Sequence, residues 1–123
     1  MATIDDLRKE AERGSSFAQG EIGICYFDGN GVTQDYYEAF RWLNRSERNK
    51  DWMPVLRLGG RRHRGEDFTP QSCYEVRYRL GVCYFEGKGA PKDTTLGRKL
   101  IREAADAGVK EAIDYYNEHF AER

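Results

Sequence analysis

Apolar side chains recur with the period of an α-helix along most of the chain. Ala18, Ile22 and Cys25 share one helical face, and the same spacing returns from Val76 to Cys83. No stretch sustains the alternation of apolar and polar residues that is typical of a half-buried β-strand. The spacing therefore predicts an all-α protein with about seven helices, over residues 3–13, 16–28, 35–48, 51–63, 72–86, 93–107 and 109–120.

Short polar signals mark where these helices begin and end. The segment Asp35–Glu38 is typical of an acidic capping box, Asp93 has the same place before a later helix, and Ser72–Glu75 predicts a third cap. Gly29 and Gly87 each follow a helix, at the position where glycine commonly adopts a positive φ. Because the connections are short, we expect neighbouring helices to pack antiparallel.

Two segments of the chain are near copies of each other. Residues 23–35 read GICYFDGNGVTQD and residues 81–93 read GVCYFEGKGAPKD, with seven of thirteen positions identical at an offset of 58. A fainter copy begins at Leu58-Gly59, only 22 residues before Gly81. We interpret this middle copy as a repeat that has lost its second helix.

The repeated positions also resemble a known family. The resemblance to the Sel-one-like repeat, a relative of the tetratricopeptide repeat, rests on Gly14, Ala18-Gln19, Ile22-Gly23, Tyr26, Gly29-x-Gly31-Val32, Asp35, Glu38-Ala39 and Trp42, and in the later copy on Leu80-Gly81, Tyr84, Gly87-x-Gly89, Asp93, Ala104-Ala105 and Gly108. It implies an α–α superhelix, a short α-solenoid of antiparallel helix pairs. The expected single domain, 1–123, consists of an N-terminal half-unit (3–14), a first repeat (15–50), a truncated middle repeat (51–71), a third repeat (72–107) and a capping helix (108–123).

Small residues inside the predicted helices indicate close packing. Gly23 and Gly81 lie mid-helix, where glycine costs about 1 kcal/mol relative to alanine, so we expect a neighbouring helix to approach there. We expect Ala39, Trp42 and Leu43 to point inward from the next helix.

Composition narrows the class of protein. The chain has 123 residues, of which 33% are charged, with a formal net charge of −1, so a globally basic nucleic-acid binder is disfavoured. Asp5 and Asp6 stand where a signal peptide would be basic, and no apolar run approaches the roughly 18 residues of a membrane span. Three cysteines fit a reducing compartment better than a disulfide framework. We expect a cytoplasmic monomer that does not bind membranes.

Groups that could perform catalysis or bind a metal are few. His63 lies among arginines, whose charge repels cations, and His119 lies in the last predicted helix. Cys25, Cys73 and Cys83 have neither the paired spacing nor the nearby histidine of a zinc site. No nucleophile or phosphate-loop motif is present, and the Gly-x-Gly pairs open no βαβ unit. We therefore expect no enzymatic activity, cofactor or metal site.

Arginine is concentrated in the middle of the chain. Residues 51–80 contain four acidic residues and six arginines: Arg57, Arg61, Arg62, Arg64, Arg77 and Arg79. Guanidinium groups suit bidentate contacts to carboxylate or phosphate, so the cluster favours an acidic protein partner, with nucleic acid as the weaker alternative. A solvated surface with partners inside the chain explains the cluster equally well.

Aromatic residues supply candidate anchors for such a partner. Trp52 lies at the start of the fourth predicted helix, and Tyr36-Tyr37 and Tyr115-Tyr116 form doublets. Adjacent helical positions diverge by about 100°, so we predict Tyr37 and Tyr115 as the exposed members. The alternative, that Trp52 and all four tyrosines only fill the core or its edge, explains the pattern about equally well.

Taken with the resemblance, these features predict a non-catalytic adaptor or scaffold that recognises an acidic protein surface. Its candidate partner-binding residues are Tyr37, Trp52, Arg57, Arg61, Arg62, Arg64 and Arg77. Two other functions stay open: an immunity protein that neutralises a bacterial toxin or effector, and nucleic-acid binding through the central arginines.

Overall fold

The computed structural model describes residues 3–49 and 70–120, with side chains from Cys73 onward in the second stretch. These residues form six α-helices, and no strand is present among them. The helices are α1 (Ile4–Glu12), α2 (Ser16–Asp28), α3 (Tyr36–Arg48), α4 (Pro70–Glu86), α5 (Thr94–Asp106) and α6 (Lys110–His119). They confirm the predicted all-α class and six of the seven predicted helices. The predicted helix over 51–63 lies outside the described residues.

Aspartate caps start the second helix of each repeat. The Asp35 carboxylate accepts hydrogen bonds from the backbone N–H groups of Tyr37 and Glu38, at 3.0 and 3.1 Å. The predicted capping box is wrong in one respect: the Asp35 N–H donates to the Tyr26 carbonyl at 3.0 Å, not to Glu38. Asp93 repeats both features, because its side chain caps α5 and its N–H donates to the Tyr84 carbonyl.

The start of α4 differs from the prediction. The helix begins at Pro70, so Ser72 lies inside its first turn and is not the N-cap. Proline suits a first helical turn because its ring fixes φ near the helical value and the missing N–H has no intrahelical partner there.

The helices stack in two alternating layers. α2 pairs with α3 and α4 with α5, while α1 packs on α2, α3 on α4 and α5 on α6; α2 also contacts α4. The α2–α3 pair is antiparallel, since Ser46 near the end of α3 donates to the Ser16 carbonyl at the start of α2, at 2.8 Å. The predicted third repeat thus stacks directly on the first, and nearly all of the predicted truncated repeat, 51–71, lies outside the described residues.

Glycines allow the paired helices to cross closely, as predicted. A Cβ on Gly81 would lie 2.7 Å from Cγ1 of Ile101 and 2.9 Å from the carbonyl oxygen of Gly97. A Cβ on Gly23 would lie 2.8 Å from Cγ of Leu43. Every one of these contacts is closer than ordinary van der Waals packing, so glycine is required by space at both crossings.

The core confirms the inward side chains of the first repeat. Ala39 and Leu43 are fully buried and Trp42 is 6% exposed. The loop that follows α4 packs on α3, where a Cβ on Gly89 (φ 72°) would overlap the backbone carbonyl of Tyr36. No helix of the described residues has both the length and the apolar character needed to cross a bilayer.

Candidate functional site

The structure describes two of the seven candidate partner-binding residues, Tyr37 and Arg77. The other five lie outside the described residues: Trp52, Arg57, Arg61, Arg62 and Arg64.

Tyr37 lies in the first turn of α3, with its side chain directed outward. It is 63% exposed, and the guanidinium carbon of Arg41 lies 5.9 Å from its ring centroid. Its neighbour Tyr36 packs edge-on against Phe27, with ring centroids 5.3 Å apart. The predicted division of this doublet is confirmed, while a binding role for Tyr37 stays a prediction.

The prediction that Tyr115 is exposed is wrong. Its ring packs edge-on against Tyr78 and Phe85 and stacks on His119, with a centroid distance of 3.9 Å to the histidine. Its hydroxyl donates to a carboxylate oxygen of Glu86. Burial raises the pKa of Tyr115, and the hydrogen bond to Glu86 raises it further. Tyr115 therefore fastens α6 to α4.

Arg77 joins three helices. Its Nε lies 3.2 and 3.3 Å from the two carboxylate oxygens of Glu47 on α3, and its Nη1 lies 3.7 Å from Glu103 on α5. Burial lowers the pKa of Arg77, but the hydrogen bond and the negative charge of Glu47 outweigh it, so the net shift is upward. The side chain is 16% exposed. Intramolecular pairing, which the sequence analysis kept as the alternative, accounts for this arginine.

A cleft opens beside Arg77, between α4 and the end of α5. Its volume is about 370 Å³, and Tyr74, Glu103, Asp106 and Ala107 complete its lining. Both carboxylates at this cleft have cationic partners, since Glu103 lies 3.7 Å from Arg77 and Asp106 lies 3.9 Å from Arg102.

Arg79, the second arginine of α4, is buried. Its side chain is 8% exposed and forms two bonds to the Asp28 carboxylate on α2, at 3.2 and 3.4 Å. A carboxylate oxygen of Glu75 lies 3.9 Å from Nη1. The guanidinium also lies between 5 and 6 Å from the ring centroids of Phe27 and Tyr78. Neither arginine of α4 is thus a freely exposed cation.

Around Arg79, the even-numbered helices present a shared surface, which we call the carboxylate face. Glu21 lies within electrostatic range of Glu75 and Arg79, and Tyr78 within range of Glu111. The face consists of Glu21, Asp28, Glu75, Tyr78, Arg79, Glu111 and Tyr115.

The sequence pattern does not predict the carboxylate face. The one available signal was the repeat offset of 58, which aligns Glu21 with Arg79 and so brings opposite charges to equivalent positions of successive helices. Only the stacking of α4 on α2 shows that these side chains are neighbours.

The cysteines and histidine of the described residues form no reactive centre. Cys25, Cys73 and Cys83 are not joined to one another by disulfide bonds, and burial raises the pKa of Cys83 to about 12. No group of three His, Cys, Asp or Glu side chains in residues 3–49 and 70–120 is arranged to hold a metal ion.

Antiparallel helix pairs stacked in two layers, with aspartate caps and glycine crossings repeated in each pair, define an α-solenoid repeat protein. The family model described as "Sel1 repeat" matches residues 16–51 and 75–109, which is more than half of the chain. The chain therefore belongs to the Sel1 repeat family. Proteins of this family generally mediate protein–protein interactions and are generally non-catalytic.

Similar proteins include an Arabidopsis thaliana protein, ERAD-associated E3 ubiquitin-protein ligase component HRD3B, with 30% identity over 71% of this chain and 16% of that protein. The secretory immunoglobulin A-binding protein EsiB of Escherichia coli O6:H1 is 40% identical over 35% of this chain and 9% of its own length. A Sel1 repeat protein from Oxalobacter formigenes shares the fold, with a TM-score of 0.61 and 23% identity over 94% of this chain and 27% of that chain. The chain thus spans less than a fifth of the two named relatives.

Proposed function

We propose that this protein is a non-catalytic adaptor that recognises an acidic protein surface through Arg57, Arg61, Arg62 and Arg64. Membership of a family that binds proteins supports the general role. The acidic character of the partner rests on the distribution of charge along the chain.

That distribution is the observation that carries the proposal. Residues 3–49 and 70–120 contain 17 acidic and 14 basic side chains, whereas residues 50–69 contain five basic and three acidic ones. The arginines of α4 are paired with Glu47 and Asp28 and add little positive charge to the surface. The excess of positive charge therefore lies between α3 and α4 in the sequence, where guanidinium groups suit carboxylate partners.

Tyr37 is the proposed aromatic anchor among the described residues, with Trp52 as the second anchor. A tyrosine that is 63% exposed offers a large amphipathic surface with few rotatable bonds. Tyrosine, tryptophan and arginine are the residues most enriched at interface hot spots.

The test is capture of the partner from a lysate of the native host by the immobilised chain, identified by mass spectrometry. Reversing Arg61 and Arg62 to Glu should abolish capture while helical circular dichroism stays that of the wild type. The matched control reverses two exposed cations of α5, Lys99 and Arg102, to Glu, and should retain capture. Equal capture by all three proteins would rule out an arginine-mediated interface.

A further inference from the structure

We propose that the carboxylate face is a second docking surface, which binds an arginine- or lysine-bearing segment of another protein. This proposal rests on the protein-binding role proposed above but not on Arg57, Arg61, Arg62 and Arg64, because those residues and the carboxylate face have opposite charge. It would make the chain an adaptor that joins an acidic partner to a basic one.

The carboxylate face carries more negative than positive charge. Arg79 is the cation at its centre, and Asp28 and Glu75 already hold it at 3.2 and 3.9 Å. Glu21 and Glu111 form no ion pair with any other described residue. The surface thus presents two further carboxylates on either side of a neutralised arginine, which complements a segment with two or more cations.

The carboxylate of Glu21 lies in an unfavourable environment. Burial raises its pKa, and the negative charge of Glu75 raises it further, with Arg79 acting in the opposite direction. A half-buried carboxylate beside a like charge is unfavourable for folding, and an incoming guanidinium would relieve both effects at once. Arg79 offsets this cost only in part, because the net shift of the Glu21 pKa is upward.

Two tyrosines add an aromatic surface to the carboxylate face. Tyr78 and Tyr115 lie at the α4–α6 boundary with ring centroids 6.1 Å apart. Both are partly exposed, and His119 covers one face of the Tyr115 ring. A guanidinium or ammonium group is attracted to the face of such a ring. Guanidinium already contacts Tyr78 within the protein, through Arg79 at 5.7 Å. Carboxylates flanking two tyrosines therefore fit a basic segment better than an acidic or apolar one.

The helices also hold the face in a fixed shape. The Arg79–Asp28 pair joins α4 to α2, and the Tyr115–Glu86 hydrogen bond joins α6 to α4. A surface that is already ordered loses less conformational entropy on binding than a mobile loop does.

The experiment measures the fluorescence anisotropy of a short labelled peptide in which arginine alternates with serine, titrated with the full chain. The reference peptide replaces each arginine with citrulline, which keeps the shape and removes the charge. The double variant Glu21→Gln with Glu111→Gln should bind the arginine peptide about tenfold more weakly than the wild type. The matched control, Glu10→Gln with Glu12→Gln, removes the same charge from the exposed side of α1 and should leave the affinity unchanged.

Rising salt should weaken the wild-type interaction, and the citrulline peptide should not bind. The proposal is overturned if the wild type does not bind the arginine peptide, if it binds the citrulline peptide equally well, or if both double variants lose the same affinity. The last result would mean that the net charge of the chain, and not this face, attracts the peptide. Reversal of Arg61 and Arg62 should not weaken this binding, so failure here is distinguishable from failure of the acidic-partner proposal.

Discussion

The substitution Gly97→Ala tests how closely α4 and α5 cross. A Cβ at position 97 would lie 2.5 Å from the backbone nitrogen of Phe85 and 2.7 Å from the carbonyl oxygen of Gly81. Backbone atoms of a packed helix cannot rotate away as a side chain can, so α5 has to move outward by several tenths of an ångström.

The expected change in the free energy of unfolding follows from two opposing effects of the substitution. Forcing an extra methyl group into a packed contact costs about 1–3 kcal/mol, and replacing glycine by alanine in a helix returns up to about 1 kcal/mol. The equivalent position of the first repeat is Ala39, which is fully buried, so the fold tolerates alanine where the helices are spaced for it. We therefore expect a net loss of about 1–2 kcal/mol, which lowers the Tm of a chain of this size by about 4–8 °C.

Thermal and urea denaturation followed by far-ultraviolet circular dichroism measure this loss. Thr95→Ala is the matched control, since Thr95 is exposed in the same turn of α5 and its replacement should leave the stability unchanged or slightly raised. A Gly97→Ala protein as stable as the control would show that α5 shifts to the spacing of the first repeat at no cost, and the close-approach argument would be wrong.

Three further predictions follow from the contacts and pKa shifts. Arg77→Met keeps the apolar stem but removes the pairing with Glu47, so we expect a loss of about 1–2 kcal/mol in urea denaturation; an unchanged midpoint would contradict this structural role. Cys83 is buried and its pKa is raised to about 12, so iodoacetamide at neutral pH should modify the partly exposed Cys25 first and Cys83 only on unfolding. Peptide mass spectrometry would measure the two rates of modification, and equal rates for Cys25 and Cys83 would contradict the prediction. The pKa of Glu21 is raised in the folded state, so ionisation of its carboxyl group destabilises the fold as the pH rises through the folded-state pKa. Glu21→Gln should therefore raise the Tm at neutral pH. The difference in Tm between the variant and the wild type should vanish in acid, where the carboxyl group is neutral in both the folded and the unfolded state.

Local sequence determined the helices and most of their ends. The caps at Asp35 and Asp93 and the left-handed glycines after α2 and α4 depend on residues within a few positions of one another. The same local information identified the repeat, because each unit reproduces its own caps and crossings. The predicted cap at Ser72 is wrong because two competing helix-start signals, Pro70 and Ser72, lie within one turn.

Which side chains are paired or buried at the surface of these helices depends on the tertiary structure. Arg77 and Glu47 are 30 residues apart, and Arg79 and Asp28 are 51 apart, so no local pattern shows that these arginines are paired. Tyr115 was predicted exposed because helical geometry gives only the angle between neighbours, while its burial depends on Tyr78 and Phe85 of another helix.

The carboxylate face also depends on the tertiary structure and not on a local sequence pattern. Glu21 and Glu111 lie on different helices, and their charges belong to one surface because α2 packs on α4 and Tyr115 of α6 packs on Tyr78 of α4. The fold and the family can therefore be predicted from local sequence, since both depend on short-range repeats of caps and small residues. Which charged side chains are paired depends on the tertiary structure, because electrostatic pairing depends on distance in space and not on separation along the chain.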